Sequence, residues 1–126
     1  MAEQINGVWT IPSGSGYSKI LNVRQTGFST VVMSLTRYSN QSIVVAFLTV
    51  YPGSQKDSKV TVKYIQGAKG ADQYSVKIFY KEEPDNSISI YVTKPFYDSC
   101  GFRVITSQMS TVGVTSSALP EGAVEV

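Results

Sequence analysis

Histidine, the side chain most often used in general acid–base catalysis, is missing from this sequence. Its 126 residues include no histidine, so neither a Ser–His–Asp triad nor a Cys–His pair can form, and the commonest zinc ligand is absent. The single cysteine, Cys100, has no partner for an intrachain disulfide or a thiolate metal cluster. We expect Cys100 to be a small buried apolar side chain, and we expect no catalytic residue, no metal site and no cofactor.

Carboxylates are the remaining candidates for acid–base chemistry. Asp85 and Asp98 could pair with Glu82 or Glu83, as the two carboxylates of a glycosidase do. Three of these residues fall within the turn-forming segment 82–86, where carboxylates are ordinarily solvated. The sequence also lacks the Asp-x-Asp-x-Asp pattern of a calcium loop. We therefore expect the protein to act by binding and not to be an enzyme.

The aromatic residues are the feature of the sequence that indicates ligand binding. The chain has eight Tyr, five Phe and one Trp, and several of them fall in predicted loops, where flat rings can stack on sugars. If consecutive strands run antiparallel, alternate loops emerge at the same end of the domain, which brings 38–42, 66–72 and 94–101 together. Alternatively, the aromatic residues of these loops fill the end of the core or are ordinary surface. The candidate ligand-binding residues at that end are Arg37, Tyr38, Asn40, Lys69, Phe96, Tyr97 and Asp98.

The elements that must position these loops are strands. Short β-branched and aromatic runs alternate with turn-forming residues, and no segment has a convincing helical pattern. We predict an all-β fold, an antiparallel β-sandwich of jelly-roll-like type with about seven to nine strands. Residues 1–16 are expected to form a lead-in or linker, and residues 17–126 a single domain. The predicted strands are 18–24, 30–37, 43–50, 59–65, 73–80, 87–93, 102–107 and 112–115, with 123–126 as a possible ninth.

Period-two alternation predicts which face of a strand meets the core. In 59–65, Val60, Val62 and Tyr64 share one face, which we expect to be buried. In 87–93, the isoleucines and Val92 are expected to face the core, whereas Ser87, Ser89 and Tyr91 are expected to face water. The run 43–48 is apolar throughout, which is typical of a central strand covered on both sides. Phe79 and Tyr91 fall on otherwise polar faces, where a neighbouring subunit could bury them.

Composition narrows the class of partner. The net charge is only +2, and the Lys and Arg residues are scattered without a run of three, which argues against a nucleic-acid interface. With 16% charged residues, the surface must be built largely from Ser, Thr, Asn, Gln and Tyr. No apolar stretch of about 18 residues occurs, and the first residues lack the pattern of a signal peptide. We expect no membrane insertion.

Four motifs resemble a known family. Tyr17-x-Lys19-Ile20, Ser34-Leu35-x-Arg37, Tyr74-x-Val76-x-Ile78 and Ile88-x-Ile90-x-Val92 are similar to motifs in the C-terminal head domains of bacteriophage tail fibres and related gut-phage appendage proteins. The resemblance covers roughly residues 16–107 and supplies no catalytic or ligand-binding residue. It implies a β-sandwich that assembles as a homotrimer at a fibre tip.

The resemblance also implies a partner and a location. Such a head domain is part of the virion and acts outside the cell, where it contacts a bacterial surface polysaccharide or an outer-membrane protein. Three copies would multiply weak contacts by avidity. Two other classes stay open: a carbohydrate-binding module of a bacterial secreted protein, which is usually monomeric, and a structural surface protein with no ligand. A solution mass measurement separates the first two.

Overall fold

Antiparallel strands make up the regular secondary structure of this protein. The computed structural model describes residues 8–36, 43–53, 59–66, 77–95 and 100–126, and within them the expected all-β antiparallel fold without helices is confirmed. No helix in these ranges is long and apolar enough to span a membrane. The strands are β1 (Val8–Ile11), β2 (Tyr17–Thr36), β3 (Ile43–Val50), β4 (Val60–Gln66), β5 (Ile78–Glu82), β6 (Ile88–Thr93), β7 (Cys100–Ser117) and β8 (Val124–Glu125).

The eight strands form one antiparallel sheet that folds into two layers, and the two long strands, β2 and β7, belong to both layers. The first part of β2, up to Val23, pairs with β6 and with the last part of β7. The second part of β2, from Phe28, pairs with β3 and with the first part of β7. The first layer therefore has the strand order β8-β5-β6-β2-β7, and the second layer has the order β4-β3-β2-β7-β1.

The two layers meet at a bend that β2 and β7 share. Val23 pairs with Ser110 and Phe28 pairs with Gln108, so residues 24–27 of β2 lie opposite Met109 alone. Met109 has a positive φ of 54°, which is uncommon for a residue other than glycine. An insertion of this kind bends a strand without ending its ladder. For this reason the predicted strands 18–24 and 30–37 form one element, as do 102–107 and 112–115.

A single hydrophobic core lies between the layers. The first layer contributes residues such as Leu21 and Ile90, and the second contributes residues such as Leu48 and Phe102. Ile11 of β1 is fully buried in the same core, and the rings of Trp9 and Phe102 stack with centroids 5.5 Å apart. Strand β1 thus joins the core although it lies within the segment expected to be a lead-in.

Strand β6 corrects one prediction from the alternation pattern. Its isoleucines and Val92 are buried as expected, but Ser87, Ser89 and Tyr91, predicted to face water, are 2%, 0% and 6% exposed. The strand lies between β2 and β5: Asn22 of β2 donates hydrogen bonds to Ser87 and Ser89, and the rings of Tyr17 and Phe79 meet across Tyr91.

On β3, Ala46 and Leu48 are buried but Val45 and Phe47 are only half-buried, so the expectation of a strand covered on both sides is met on one face alone. On β4, Val60, Val62 and Tyr64, which were expected to be buried, are half-buried.

Candidate functional site

The loop residues proposed from the sequence to bind a ligand lie outside the described residues. Arg37, Tyr38, Asn40, Lys69, Phe96, Tyr97 and Asp98 therefore stay a prediction. The strand ends that flank their segments do lie together: Thr36 pairs with Ile43, Leu35 pairs with Cys100, and Gln66 pairs with Val45. These ends share one end of the second layer, in agreement with the strand directions on which the proposal depends.

Within the described residues, the polar and aromatic side chains best arranged for binding lie on the surface of the first layer that points away from the core. We call this surface the outer face. On it, Lys19 of β2 lies between Thr115 of β7 and Tyr91 of β6, and Tyr91 is followed by Phe79 of β5. One strand therefore supplies a cation to a row of hydroxyl and aromatic groups.

Three aromatic rings form the β5 side of the outer face. The rings of Tyr17 and Phe79 meet edge to face across β6, with centroids 5.8 Å apart. Tyr91 lies beside Phe79 in the register and is almost fully buried. Burial raises the pKa of the Tyr91 hydroxyl, and the charge of Glu83 raises it further. The Tyr91 hydroxyl is therefore neutral at physiological pH and can both donate and accept hydrogen bonds.

Asn22 forms the polar centre of the outer face. It lies between Ser89 of β6 and Thr111 of β7. Its Nδ2 donates hydrogen bonds to the Oγ of Ser87 at 3.1 Å and to the Oγ of Ser89 at 2.9 Å. Both amide hydrogens are used in this way, so the group that Asn22 can offer to a ligand is its carbonyl oxygen.

A cleft opens on this face where the ladder between β2 and β7 is interrupted. Lys19 pairs with Thr115 and Leu21 pairs with Val112, so one residue of β2 and two of β7 lie unpaired between them. A Cβ added to Gly113 would meet no atom within 4 Å. The cleft has a volume of about 420 Å³ and is lined by Lys19, Ile20, Leu21, Asn22, Thr111, Val112, Gly113 and Thr115.

The charge in this cleft is positive. Among the described residues that line it, Lys19 is charged and none is acidic. The nearest carboxylate in the same row is that of Glu125, which pairs with Phe79 on the far side of β5. Three strand spacings separate β2 from β8, which corresponds to about 14 Å. That distance exceeds the screening length of roughly 8 Å at physiological ionic strength.

Two of the carboxylates considered for catalysis, Asp85 and Glu82, are engaged in local contacts. Asp85 Oδ1 accepts hydrogen bonds from the backbone N–H of Ser87 at 3.0 Å and from its hydroxyl at 2.6 Å, which lowers the pKa of Asp85. Glu82 forms an exposed ion pair with Lys59 at 3.2 Å. Asp98 lies outside the described residues. An ionised turn carboxylate with a lowered pKa is poorly suited to act as a general acid at neutral pH.

Cys100 is free and buried, as expected of a small apolar side chain. Burial raises the pKa of its thiol to about 12, so the nucleophilic thiolate is scarce near neutral pH. The described residues contain no group of three or more His, Cys, Asp or Glu side chains arranged to hold a metal ion.

Sequence reasoning missed Lys19, Asn22, Thr111 and Thr115 as site residues. The sequence contains a signal for one of them, because Asn22 is a polar residue between two apolar residues of a predicted strand. The interrupted pairing that opens the cleft cannot be predicted from the alternation of apolar and polar residues along the sequence. No family model matches the chain, and no similar curated protein or solved structure was found.

Proposed function

We propose that this protein is the receptor-binding head domain of a bacteriophage tail fibre and that it attaches to a glycan on the surface of its host bacterium. The observation that carries the proposal is the outer face, where Tyr17 and Phe79 border a row of hydroxyl, amide and ammonium groups. The resemblance of four sequence motifs to tail-fibre heads supports the same assignment.

The chemistry of the outer face suits a sugar. Carbohydrates present apolar C–H surfaces beside hydroxyl groups, and they are bound by aromatic rings next to hydrogen-bonding side chains. Each well-packed aromatic contact contributes on the order of 1–2 kcal/mol. A site of this size binds weakly, and a homotrimer compensates through avidity. The predicted loop site around Tyr38 and Tyr97 would add further contacts at one end of the domain.

One observation favours a second candidate, a monomeric carbohydrate-binding module of a bacterial secreted protein. The expectation of a trimer depends partly on Phe79 and Tyr91 as apolar residues on polar faces. Tyr91 is 6% exposed in the single chain, so its burial needs no second subunit. Light scattering at micromolar concentration separates the candidates, because the fibre head is expected to have three times the mass of one chain.

Binding to immobilised polysaccharides, purified from a panel of bacterial surfaces, tests the shared proposal of glycan recognition. Tyr17→Ala removes a half-exposed ring from the outer face and should weaken binding about fivefold or more. Tyr51→Ala is the matched control, because Tyr51 is 51% exposed but lies beyond the end of β3. The absence of binding to every polysaccharide, or an equal loss in both variants, would reject the outer face as a glycan site.

A further inference from the structure

We propose that the cleft between β2 and β7 selects a sugar that carries a carboxylate, a uronic acid residue of an acidic polysaccharide. This inference rests on the proposed function and names the class of ligand that the outer face takes. The ammonium of Lys19 binds the carboxylate. The hydroxyls of Thr111 and Thr115, with the carbonyl oxygen of Asn22, bind the sugar hydroxyls.

The charge of the cleft favours an acidic ligand. Lys19 is half-buried, and within the described part of the chain its ammonium is in no ion pair. A cation next to hydroxyl groups favours an anionic ligand, since the charge-assisted hydrogen bond it forms is about twice as strong as a neutral one. The cross-strand neighbours of Lys19, Thr115 and Tyr91, are uncharged, and Glu125 lies three strands away in the same row.

The arrangement of hydrogen-bonding groups in the cleft suits a sugar ring with a carboxylate at one end. Thr115 lies opposite Lys19, and Thr111 lies opposite Asn22, so donors and acceptors line both sides of the cleft. A uronic acid has its carboxylate on one end of a ring whose other positions carry hydroxyls. One such ring can place its carboxylate at Lys19 and reach the Asn22 and Thr111 pair with its hydroxyls.

The cleft is large enough for a small molecule. The volume of about 420 Å³ lies within the range of roughly 300–1,000 Å³ found for small-molecule sites. Gly113 keeps the cleft open, because a Cβ at this position would project into empty space. We therefore expect a larger side chain at 113, a residue that lines the cleft, to occupy part of this space.

Isothermal titration calorimetry of the full chain with trigalacturonate and with the neutral sugar galactotriose tests the proposal. The wild type should bind trigalacturonate at least about tenfold more tightly, and raising the salt concentration should reduce this preference. Lys19→Met retains the apolar stem and should abolish the preference. Lys63→Met is the matched control, because Lys63 is exposed on the second layer, and it should leave both affinities unchanged.

Gly113→Val provides an independent test and should weaken binding of both sugars by filling the cleft. It also keeps the proposal testable if Lys19→Met lowers the melting temperature. Equal affinity of the wild type for the two sugars, or an unchanged preference in Lys19→Met, overturns the proposal. If the wild type shows no preference for the acidic sugar but still binds neutral bacterial polysaccharides, the proposed function stands without the acidic preference. If it binds no polysaccharide, both fail.

Discussion

A Cβ added to Gly27 would collide with the carbonyl oxygen of Gln108 and lie 2.8 Å from the Cβ of Met109. Gly27 belongs to the segment of β2 that lies opposite Met109, where both long strands turn from one layer into the other, and no side chain fits between the two backbones there. A glycine at this point is what allows one ladder to serve both layers.

Gly27→Ala should therefore destabilise the fold by about 1–3 kcal/mol, because a β7 backbone atom must move to accept the new methyl group. Urea unfolding followed by tryptophan fluorescence measures the change. Gly113→Ala, whose added Cβ meets no atom within 4 Å, is the control and should change stability by no more than about 0.5 kcal/mol. Equal effects of the two substitutions would contradict the steric explanation.

Asn22→Ala should cost about 1–3 kcal/mol of stability. It removes the donor to the buried hydroxyls of Ser87 and Ser89, and a buried polar group without a partner is costly. Thr111→Ala, an exposed neighbour on β7, should be close to neutral. Thermal melting of both variants checks the prediction, which fails if Asn22→Ala melts with the wild type.

The Cys100 thiol should not react with Ellman's reagent in the folded protein at pH 8 and should react fully after unfolding. Its pKa of about 12 in the fold lies above the value of about 8.5 in an unfolded chain. Above the unfolded value the unfolded state loses the proton first, so stability falls as pH rises from about 9 towards 12. Cys100→Val should show a shallower fall, and an identical slope would refute this contribution.

Asp85 should stabilise the β5–β6 turn at neutral pH and lose that effect in acid. Hydrogen bonds from Ser87 lower the pKa of Asp85 in the fold, whereas an unfolded aspartate titrates near about 3.9. The contribution is therefore fully present above that value and disappears as pH falls below it. Urea unfolding of the wild type and Asp85→Ala from pH 7 to pH 2 should show their stabilities converging. A constant difference would indicate a contribution independent of charge.

If the protein has the proposed receptor-binding function, Tyr38→Ala with Tyr97→Ala should weaken its binding to bacterial cells while leaving the melting temperature nearly unchanged. The expected loss is on the order of 1–2 kcal/mol for each ring that contacts the receptor. Cell binding by flow cytometry and thermal melting of the same sample measure the two effects. Intact binding, or unfolding of the double variant, would reject the predicted loop site.

The sequence by itself determined the fold class, most strand positions and the core residues of β6. In 88–92, the spacing of Ile88, Ile90 and Val92 indicates residues on one side of a strand, because successive side chains point to opposite faces. The same rule states nothing about what covers the other face, and for this reason Ser89 and Tyr91 were wrongly expected to face water.

Only the tertiary structure decided how the strands join and where the cleft lies. The residues around Gly27 have the local character of a turn, yet pairing with β7 continues on both sides of them. Likewise, Lys19 and Thr115 are 96 positions apart in the chain, and their approach depends on a register shift between β2 and β7. Register and bulges follow from the packing of two layers on one core, and this long-range property is not encoded in any single segment.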